Sequence, residues 1–408
     1  MLPARSFRFF LIAVLSMTEL MPVAFVSSAM PVLLRRSGAS MSELGFLSLV
    51  MIPWSIKALW APVVDKFGAR SRLGRYRGWL FITHPLLLMT LVVGASTDVP
   101  SLLFQNRSIG LPALFWLTFV AATADTASHG LAVLLLRPEE RGIGAGIQSI
   151  GMSAGALLGG GLMIMMVESV GWRIPLLLMA GAILLPLTAI TFYREPPVDT
   201  AQALTLGEAA SFFRQPHLGP WLAVSSILTL LSVLPAVPFQ ALFVDHGMSL
   251  TEIGFILGIL SSVVGALGGG IGGSVVRLLG RKRAFYLLHG LCILCLSGAA
   301  FIVTRAQPGR YLLYCSAALA SFALAVVGTI LRVMIMDRCR PHLASTDYTI
   351  QASILGLITF IGSGLGGVLA GRLGAVAVFL FVPPAMLAFL AAVPRLLPAK
   401  TFEAEPQR

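Results

Sequence analysis

The chain is constrained most by a series of long apolar runs. We count twelve of them in its 408 residues: 8–33, 44–64, 79–97, 109–136, 143–167, 174–193, 219–244, 253–276, 284–304, 311–336, 349–371 and 375–397. Most reach the length of about 20 residues that a helix needs to cross a bilayer. Only 11% of the residues are charged, against about a quarter in soluble proteins. We therefore expect an all-α membrane protein with twelve transmembrane helices, because a segment in lipid must satisfy its own backbone.

The first run is part of this set. It is longer than the apolar core of a cleaved leader peptide, and similar runs follow it, so we expect it to remain in the mature protein. The 29 lysines and arginines fall mostly in the segments that would share one side of the membrane with both termini. By the positive-inside rule, this bias places the termini in the cytoplasm of a bacterial inner-membrane protein. The net charge of +12 is thus a topology signal, and we expect no nucleic-acid partner.

The sequence carries signs of internal duplication. The segment SMSELGF at 40–46 matches SLTEIGF at 249–255, and each contains the Ser-x-x-Glu pattern of a helix-capping box. Arg137-Pro138 matches Arg340-Pro341, and Ile147-Gln148 matches Ile350-Gln351, at one constant spacing. The spacing preserves orientation, so it predicts two parallel six-helix repeats, which is similar to the major facilitator fold. We expect one bundle at 1–193, a cytoplasmic linker at 194–218 and a second bundle at 219–408.

Small residues recur at a spacing of four in three of the predicted helices. These residues are Gly151, Gly155 and Gly159; Gly265, Gly269 and Gly273; and Gly362, Gly366 and Ala370. Such stripes let helices approach closely. They indicate either ordinary membrane packing or surfaces that slide as the protein changes conformation.

Ionisable residues inside the apolar runs are few, and each is costly at mid-membrane depth. The candidates that we single out among them are Glu19 in helix 1, Lys57 in helix 2, Asp125 and His129 in helix 4, and Arg332 in helix 10. Asp125 and His129 share a helix face because they are four residues apart. Lys57 would lower its burial cost by pairing with Asp125 or with Glu19. Such a pair is either a static salt bridge or one that reorganises with substrate or protons.

The remaining polar candidates each have two interpretations. His129 is a group for proton coupling or substrate contact, or a packed polar residue. Arg332 is a clamp for an anionic group, or its side chain reaches to the cytoplasmic surface. In LPAVPFQALF, residues 234–243, two prolines would break helix 7. Broken helices commonly form transporter sites, so Phe239 and Gln240 would face a cavity. The alternative is that the helix is kinked but makes no contact with cargo.

Other classes of function find little support. Cys292 and Cys295 have the spacing of a redox pair but lie in an apolar helix, where ordinary small membrane residues are the better interpretation. We find no metal-ligand cluster, Walker-type loop or serine-nucleophile elbow. We therefore expect no cofactor, no bound metal, no enzymatic activity and no appended sensor domain.

Two stretches resemble one branch of the major facilitator superfamily. They are KALWAPVVDK with LGRYRGWL (57–66, 73–80) and ATADTASHGLAVLLLRPEERGIGAGIQSIG (122–151). That branch contains the AmpG-like muropeptide permeases, the acetyl-CoA transporters and the RhtX/FptX-type siderophore permeases. Twelve helices, a short central linker and a mixed set of internal charges favour the siderophore permeases. This resemblance implies a monomeric, proton-coupled importer of a small siderophore or its ferric complex, of the pyochelin kind. A muropeptide permease and a drug-type exporter are the alternatives.

The loop between predicted helices 2 and 3 has a physical role whatever the cargo. Asp65 would lie at the positive N-terminus of a neighbouring helix. Arg72, Arg75 and Arg77 would bond carbonyl groups or an acid such as Glu140. Together these five residues form a predicted cytoplasmic latch, although the arginines would also serve simply as topology-determining charge.

Overall fold

The computed structural model describes residues 4–36, 48–68, 73–97, 107–195, 206–305 and 308–402. Within these ranges every regular element is helical. We number the long helical elements of the described chain as follows: α1 (5–36), α2 (48–68), α3 (Arg75–Ser96), α4 (Arg107–Leu135), α5 (141–170), α6 (Arg173–Phe192), α7 (218–245), α8 (250–279), α9 (281–303), α10 (Arg310–Met336), α11 (Ala344–Leu373) and α12 (Ala375–Leu396).

The twelve predicted helices are accounted for in two steps. Ten helices in the described ranges are long and apolar enough to cross a membrane. One of them, Thr251–Val303, contains two predicted runs, and Gly280 in its middle has φ 73° and ψ 171°. This conformation suits glycine and ends α8 before α9 begins. The predicted second helix is the irregular α2, which includes the shorter apolar helix Leu49–Leu59.

The irregularity of α2 lies where its lysine is. A 3₁₀ turn, Lys57–Leu59, separates the α-helical pieces Ile52–Ile56 and Ala61–Gly68. Pro62 explains this break, because it has no N–H to donate and its ring crowds the carbonyl of Ala58, four residues earlier. Short 3₁₀ stretches inside helices often mark functional hinges.

The glycine stripe of α5 packs against α1 at very short range. A Cβ atom on Gly155 would lie 2.3 Å from the carbonyl oxygen of Met17, and one on Gly159 would lie 1.9 Å from that of Met21. Only glycine fits at such a distance. The stripe is therefore a close-packing surface, as the sequence predicts, and α5 contains a π-helical turn there at Leu157–Gly161.

Helix α7 is broken at the first of its two prolines, as predicted. The α-helix Leu218–Val233 ends before a turn at Leu234 and Pro235, and Ala236–Asp245 begins directly after it. The amide of Phe239 donates to the carbonyl of Pro235 at 2.9 Å, which restarts the helical ladder. The second half of α7, after the break, carries Phe239 and Gln240.

The contacts divide the chain into two compact units. Unit 1 consists of 1–136, 150–209 and 339–350, and unit 2 of 137–149, 210–338 and 351–408. In unit 1, α3 packs against α4 and α6, and α1 packs against α4; its apolar core includes Met21, Phe25 and Leu117. In unit 2, α10 packs against α8 and α9, and its core includes Phe239, Phe243 and Phe379.

The described part of the predicted linker contains helical structure. It holds the short helix Leu206–Ala210 and the 3₁₀ turn Ser211–Arg214. In unit 1, His342 Nε2 lies 3.0 Å from the carboxylate of Glu208 in the first of these. The linker therefore contains ordered structure that contacts the segment before α11.

Equivalent details recur in the two halves of the sequence. Ser249 and Glu252 form the predicted capping box at the start of α8; the matching pattern at 40–46 lies outside the described residues. His84 in α3 and His289 in α9 are both fully buried, and each pairs its Nδ1 with the carbonyl one turn earlier, on Leu80 and Phe285. These shared details are expected of parallel repeats.

Candidate functional site

Four of the predicted ionisable residues meet inside unit 1. The ammonium group of Lys57 donates to Oδ2 of Asp125, and Nδ1 of His129 lies 3.1 Å from the same oxygen. The Lys57 and Asp125 residues are only 5% and 6% exposed. Glu19 lies nearby on α1, where it accepts a hydrogen bond from the hydroxyl of Ser128. We call these four ionisable residues the charge cluster.

The structure selects one of the two pairings predicted for Lys57. Its partner is Asp125, while Glu19 bonds Ser128 and lies within electrostatic range of both. Lys57 also lies 4.1 Å from the ring centroid of Trp54, a cation–π distance. The 3₁₀ turn of α2 carries this lysine, so a change in helix geometry at that turn would move it relative to Asp125.

The charge count of the cluster has a simple consequence. With both carboxylates ionised, one lysine and a neutral histidine leave a net charge of −1. An unbalanced charge is expensive in a buried site. One added proton, on His129 or on Glu19, makes the cluster neutral. With both acids ionised, the charge cluster is therefore one proton short of neutrality.

A second buried site surrounds Asp65, which is fully buried in unit 1. Its carboxylate accepts hydrogen bonds from Tyr76 Oη at 2.5 Å, from the Thr346 amide at 2.8 Å and from the Thr346 hydroxyl at 2.6 Å. Thr346 lies in the first turn of α11, so Asp65 occupies a helix N-terminus as predicted. Burial raises the pKa of Asp65, while Arg75 and the hydrogen bonds from Thr346 and Tyr76 oppose the rise.

The arginines after Asp65 bond carbonyl groups, as predicted. Arg75 donates to the carbonyl oxygens of Pro341 and His342. Arg77 donates from Nε to the carbonyl of Ile190 at 2.8 Å, and from its terminal nitrogen to Thr191, which ties α3 to the end of α6. Arg72 lies outside the described residues.

The acid found beside these arginines is Glu195. Its carboxylate accepts from the backbone amides of Tyr76 and Arg77, both at 2.9 Å. Burial raises the pKa of Glu195, and these two backbone hydrogen bonds oppose the rise. Glu140, the acid named from the sequence, accepts from the backbone amide of Arg137 at 3.2 Å.

Unit 2 contains a matching arginine site that the sequence reasoning missed. Arg281 bonds the carboxylate of Asp337, with Nε at 2.9 Å, and donates to the carbonyl of Pro138 at 2.6 Å. Arg141, 1% exposed, donates to the same carboxylate at 2.7 Å. The sequence signal is LGRYR at 73–77 against LGRKR at 279–283. In both segments the glycine has positive φ.

The other predicted site residues lie in unit 2. Arg332 donates to the hydroxyl of Ser149, which in turn lies 3.1 Å from that of Thr329. Phe239 is 8% exposed and lines a cavity of about 150 Å³, together with Pro235 and Phe379. Gln240 lies in the helix Ala236–Asp245, and its side chain is outside the described residues.

The cavity beside Phe239 is almost wholly apolar. Three serines line it, and each has a partner in the protein: Ser321 donates to Ser261, Ser261 to the carbonyl of Ile256, and Ser232 to that of Thr229. A cavity with these properties suits an apolar or aromatic group better than a hydroxyl-rich one.

Comparisons with known proteins agree with this architecture. The chain is similar to the anhydromuropeptide permease of Escherichia coli K12, with 28% identity over 293 residues, which cover 69% of this chain and 58% of that protein. It is also similar to the putative transporter AmpG 4 of Rickettsia conorii, with 22% identity. That match covers 92% of this chain and 93% of that protein. The match to the Escherichia coli permease thus spans less than two thirds of that relative's length.

Solved structures show the same fold. The proton:xylose symporter XylE superposes with a TM-score of 0.71 at 15% identity, over 98% of both chains. A bacterial homologue of the iron transporter ferroportin superposes with a TM-score of 0.68 at 16% identity, over 96% of this chain and 99% of that one. The family model described as "Major Facilitator Superfamily" matches residues 8–355 and 235–408. This multi-pass membrane protein therefore belongs to the Major Facilitator Superfamily.

Proposed function

We propose that this protein is a secondary active transporter that imports a siderophore or its iron complex, of the pyochelin kind, across the bacterial inner membrane. The observation that carries the proposal is the charge cluster. Two acids and a lysine are buried within apolar helices, with a half-buried histidine beside them. Uncompensated charge is costly there, and such residues mark ion and substrate pathways. A carrier that couples cargo to protons needs a group of this kind.

The proposed mechanism is alternating access between the bundles 1–193 and 219–408, joined by the linker 194–218, with both termini cytoplasmic. The protonation candidates are Asp125, His129 and Glu19. The positive charge of Lys57 compensates the negative charge of the carboxylates. Arg332 would exchange its bond to Ser149 for an anionic group of the cargo. The protein would work as a monomer.

The latch would hold the cytoplasmic side in one of the two states. Asp65 and Arg75 bond the first turn of α11 and the residues just before it, and Arg281 bonds the carbonyl of Pro138 just before α5. Similar Gly-Arg segments thus bind the two matched Arg-Pro segments of the repeats. Breaking these bonds would release α5 and α11 together.

Two features support an aromatic chelate as cargo. The motifs in the first half of the chain resemble the branch of the superfamily that contains the RhtX/FptX-type permeases, and the mixed set of internal charges favours those permeases within it. The cavity beside Phe239 is lined by aromatic and aliphatic side chains, with hydroxyls that are already bonded. A muropeptide carries many hydroxyl and amide groups, each of which would need a partner on burial.

Muropeptide transport is the second candidate, and a specific observation favours it. The curated relatives described above include an anhydromuropeptide permease, and the Rickettsia relative covers nearly the whole chain. A muropeptide cargo would use the charge cluster in the same way. Its hydroxyl groups would have to be bound by residues other than those that line the cavity beside Phe239.

A ligand panel on the purified protein separates these candidates. Thermal stabilisation is measured with ferric pyochelin, free pyochelin, an anhydromuropeptide and acetyl-CoA. We expect stabilisation by the chelate and a weaker effect in Phe239→Ala, with the exposed Phe192→Ala as the matched control. Stabilisation by the muropeptide alone would reverse the assignment of cargo.

A further inference from the structure

The first turn of α11 contacts α4 beside the charge cluster, within unit 1. The hydroxyl of Ser345 donates to the carbonyl of Thr126 at 2.8 Å. One turn further on, the ring of Tyr348 stacks on the imidazole of His129, with ring centroids 4.1 Å apart and an interplanar angle of 15°. Tyr348 is 2% exposed. We call the state with these contacts made the docked state of residues 344–348.

Glycine in α4 makes this close approach possible. A Cβ atom on Gly130 would lie 2.5 Å from the ring of Tyr76 and 2.9 Å from the side chain of Ser345. The next residue back along α4 is His129. The surface that receives α11 therefore includes the histidine of the charge cluster, and nothing larger than glycine fits beside it.

His129 has contacts on two sides, and a proton on its ring strengthens both of them. Its Nδ1 faces Oδ2 of Asp125, the oxygen that also accepts from Lys57. Its ring face lies on Tyr348. An imidazolium bonds a carboxylate more strongly than a neutral imidazole does. It also gains a cation–π attraction to the tyrosine ring, which a neutral imidazole lacks.

The ionisable groups around this stack belong to the charge cluster, to the site around Asp65 and to the docked segment itself, where the buried Asp347 bonds Arg340 at 2.8 Å. Glu19 on α1 and Lys57 on α2 belong to the charge cluster. Tyr76 on α3 contacts Gly130, and it donates to Asp65 on α2, which in turn accepts from Thr346. The residues that receive α11 thus run from the charge cluster to Asp65.

We propose that the His129–Tyr348 stack ties the proton occupancy of the charge cluster to the docking of residues 344–348 on α4. The docked state binds the proton on His129 more tightly, and by linkage the proton favours docking by the same factor. Tyr348 acts as a positioning residue, because its effect passes through His129. The inference rests on the proton coupling in the proposed function, and it names the contact through which the proton would act.

Cys339 gives a native reporter of docking that needs no cargo. It belongs to the 339–350 segment of unit 1 and is buried, at 6% exposed, while Cys315 is exposed. Two forms of the purified protein are compared, one with Cys339 and one with Cys315 as the sole thiol. Maleimide labelling is followed from pH 5 to pH 9. Dividing the first rate by the second removes the pH dependence of thiol reactivity that the two cysteines share.

The expected result follows from the linkage. The normalised labelling of Cys339 rises with pH by about 2- to 30-fold, the range of a cation–π contribution.

His129→Asn keeps a donor toward Asp125 but does not titrate, so its profile is flat; the exposed His217→Asn is the matched control. Tyr348→Phe keeps the ring and the pH response. Tyr348→Leu labels faster and loses the response, while the exposed Tyr311→Leu behaves as the wild type.

Two outcomes would overturn the inference: an unchanged pH response in His129→Asn, or equal profiles in Tyr348→Phe and Tyr348→Leu. Both are measured without cargo, so they are independent of the ligand panel. A pH-dependent docking signal in a protein that binds no siderophore would leave this inference standing and refute the proposed cargo. Binding of ferric pyochelin with a flat labelling profile would do the reverse.

Discussion

Replacing Lys57 by methionine tests the charge cluster most sharply. Methionine keeps much of the side-chain volume and removes the only lysine of the cluster. Asp125 then loses the donor to its Oδ2 and keeps His129 at 3.1 Å. Breaking a buried ion pair by removing one partner costs about 3–5 kcal/mol, because the other charge is left uncompensated.

The free energy of unfolding in mixed micelles measures this cost, with Lys66→Met as the control on the same helix. Lys66 is exposed, so its replacement is expected to change the stability by less than about 0.5 kcal/mol. The double variant Lys57→Met with Asp125→Asn removes both charges and should recover most of the loss. Lys57→Met as stable as Lys66→Met would refute the burial argument.

Transport by the same variants separates a structural pair from a functional one. Lys57→Met is expected to insert in the membrane and to lose uptake. If the pair takes part in coupling, the double variant regains stability and stays inactive. Recovered uptake in the double variant would show that the pair serves only to hold α2 against α4.

Three further predictions concern the packing and the latch. The raised pKa of Asp65 stabilises the folded wild type below about pH 4, and this stabilisation is lost as the pH rises through the folded-state pKa. Asp65→Asn lacks this dependence, so its melting temperature relative to that of the wild type should increase from pH 4 to pH 8. A difference that stays constant would contradict this. Gly159→Ala places a Cβ 1.9 Å from the carbonyl oxygen of Met21 and should cost about 1–3 kcal/mol of unfolding free energy, whereas Gly181→Ala, with nothing within 4 Å, should be neutral. Arg281→Gln should increase proteolysis of the 137–141 segment several-fold without changing the ligand affinity, and an unchanged cleavage rate would remove Arg281 from the latch.

Much of the fold could be predicted from apolar length alone. A bilayer leaves helices as the available structure for such runs, so both the helix count and the break at Pro235 followed from elementary rules. The two boundaries that depart from simple runs have local causes. Pro62 makes α2 irregular, and Gly280 separates α8 from α9 through one residue of positive φ.

The charge cluster was also predictable, because few ionisable residues lie within the runs. The sequence left two partners open for Lys57, since one-dimensional spacing gives depth along a helix but not the rotation that brings Asp125 to it. Tyr348 could not be found in this way. It lies in α11 and reaches His129 only because Gly130 lets that helix approach α4 closely.

The second arginine site was missed for a different reason. LGRKR at 279–283 interrupts an apolar stretch, and three basic residues in such a place indicate, by themselves, only topology-determining charge. Its match to LGRYR at 73–77 shows the role of Arg281. Arg75 and Arg281 each bond the carbonyl of a proline that directly follows an arginine. Searching the repeats for matched charges, in addition to matched caps, would have found it.

Uptake into proteoliposomes tests the central claim most directly. Labelled ferric pyochelin is offered under an inward proton gradient, with and without an uncoupler, to the wild type and to Asp125→Asn. We predict accumulation by the wild type that the uncoupler abolishes, and none by Asp125→Asn. Accumulation that persists when the gradient is collapsed, or that is equal in the two proteins, would contradict the proposal that the charge cluster couples protons to import.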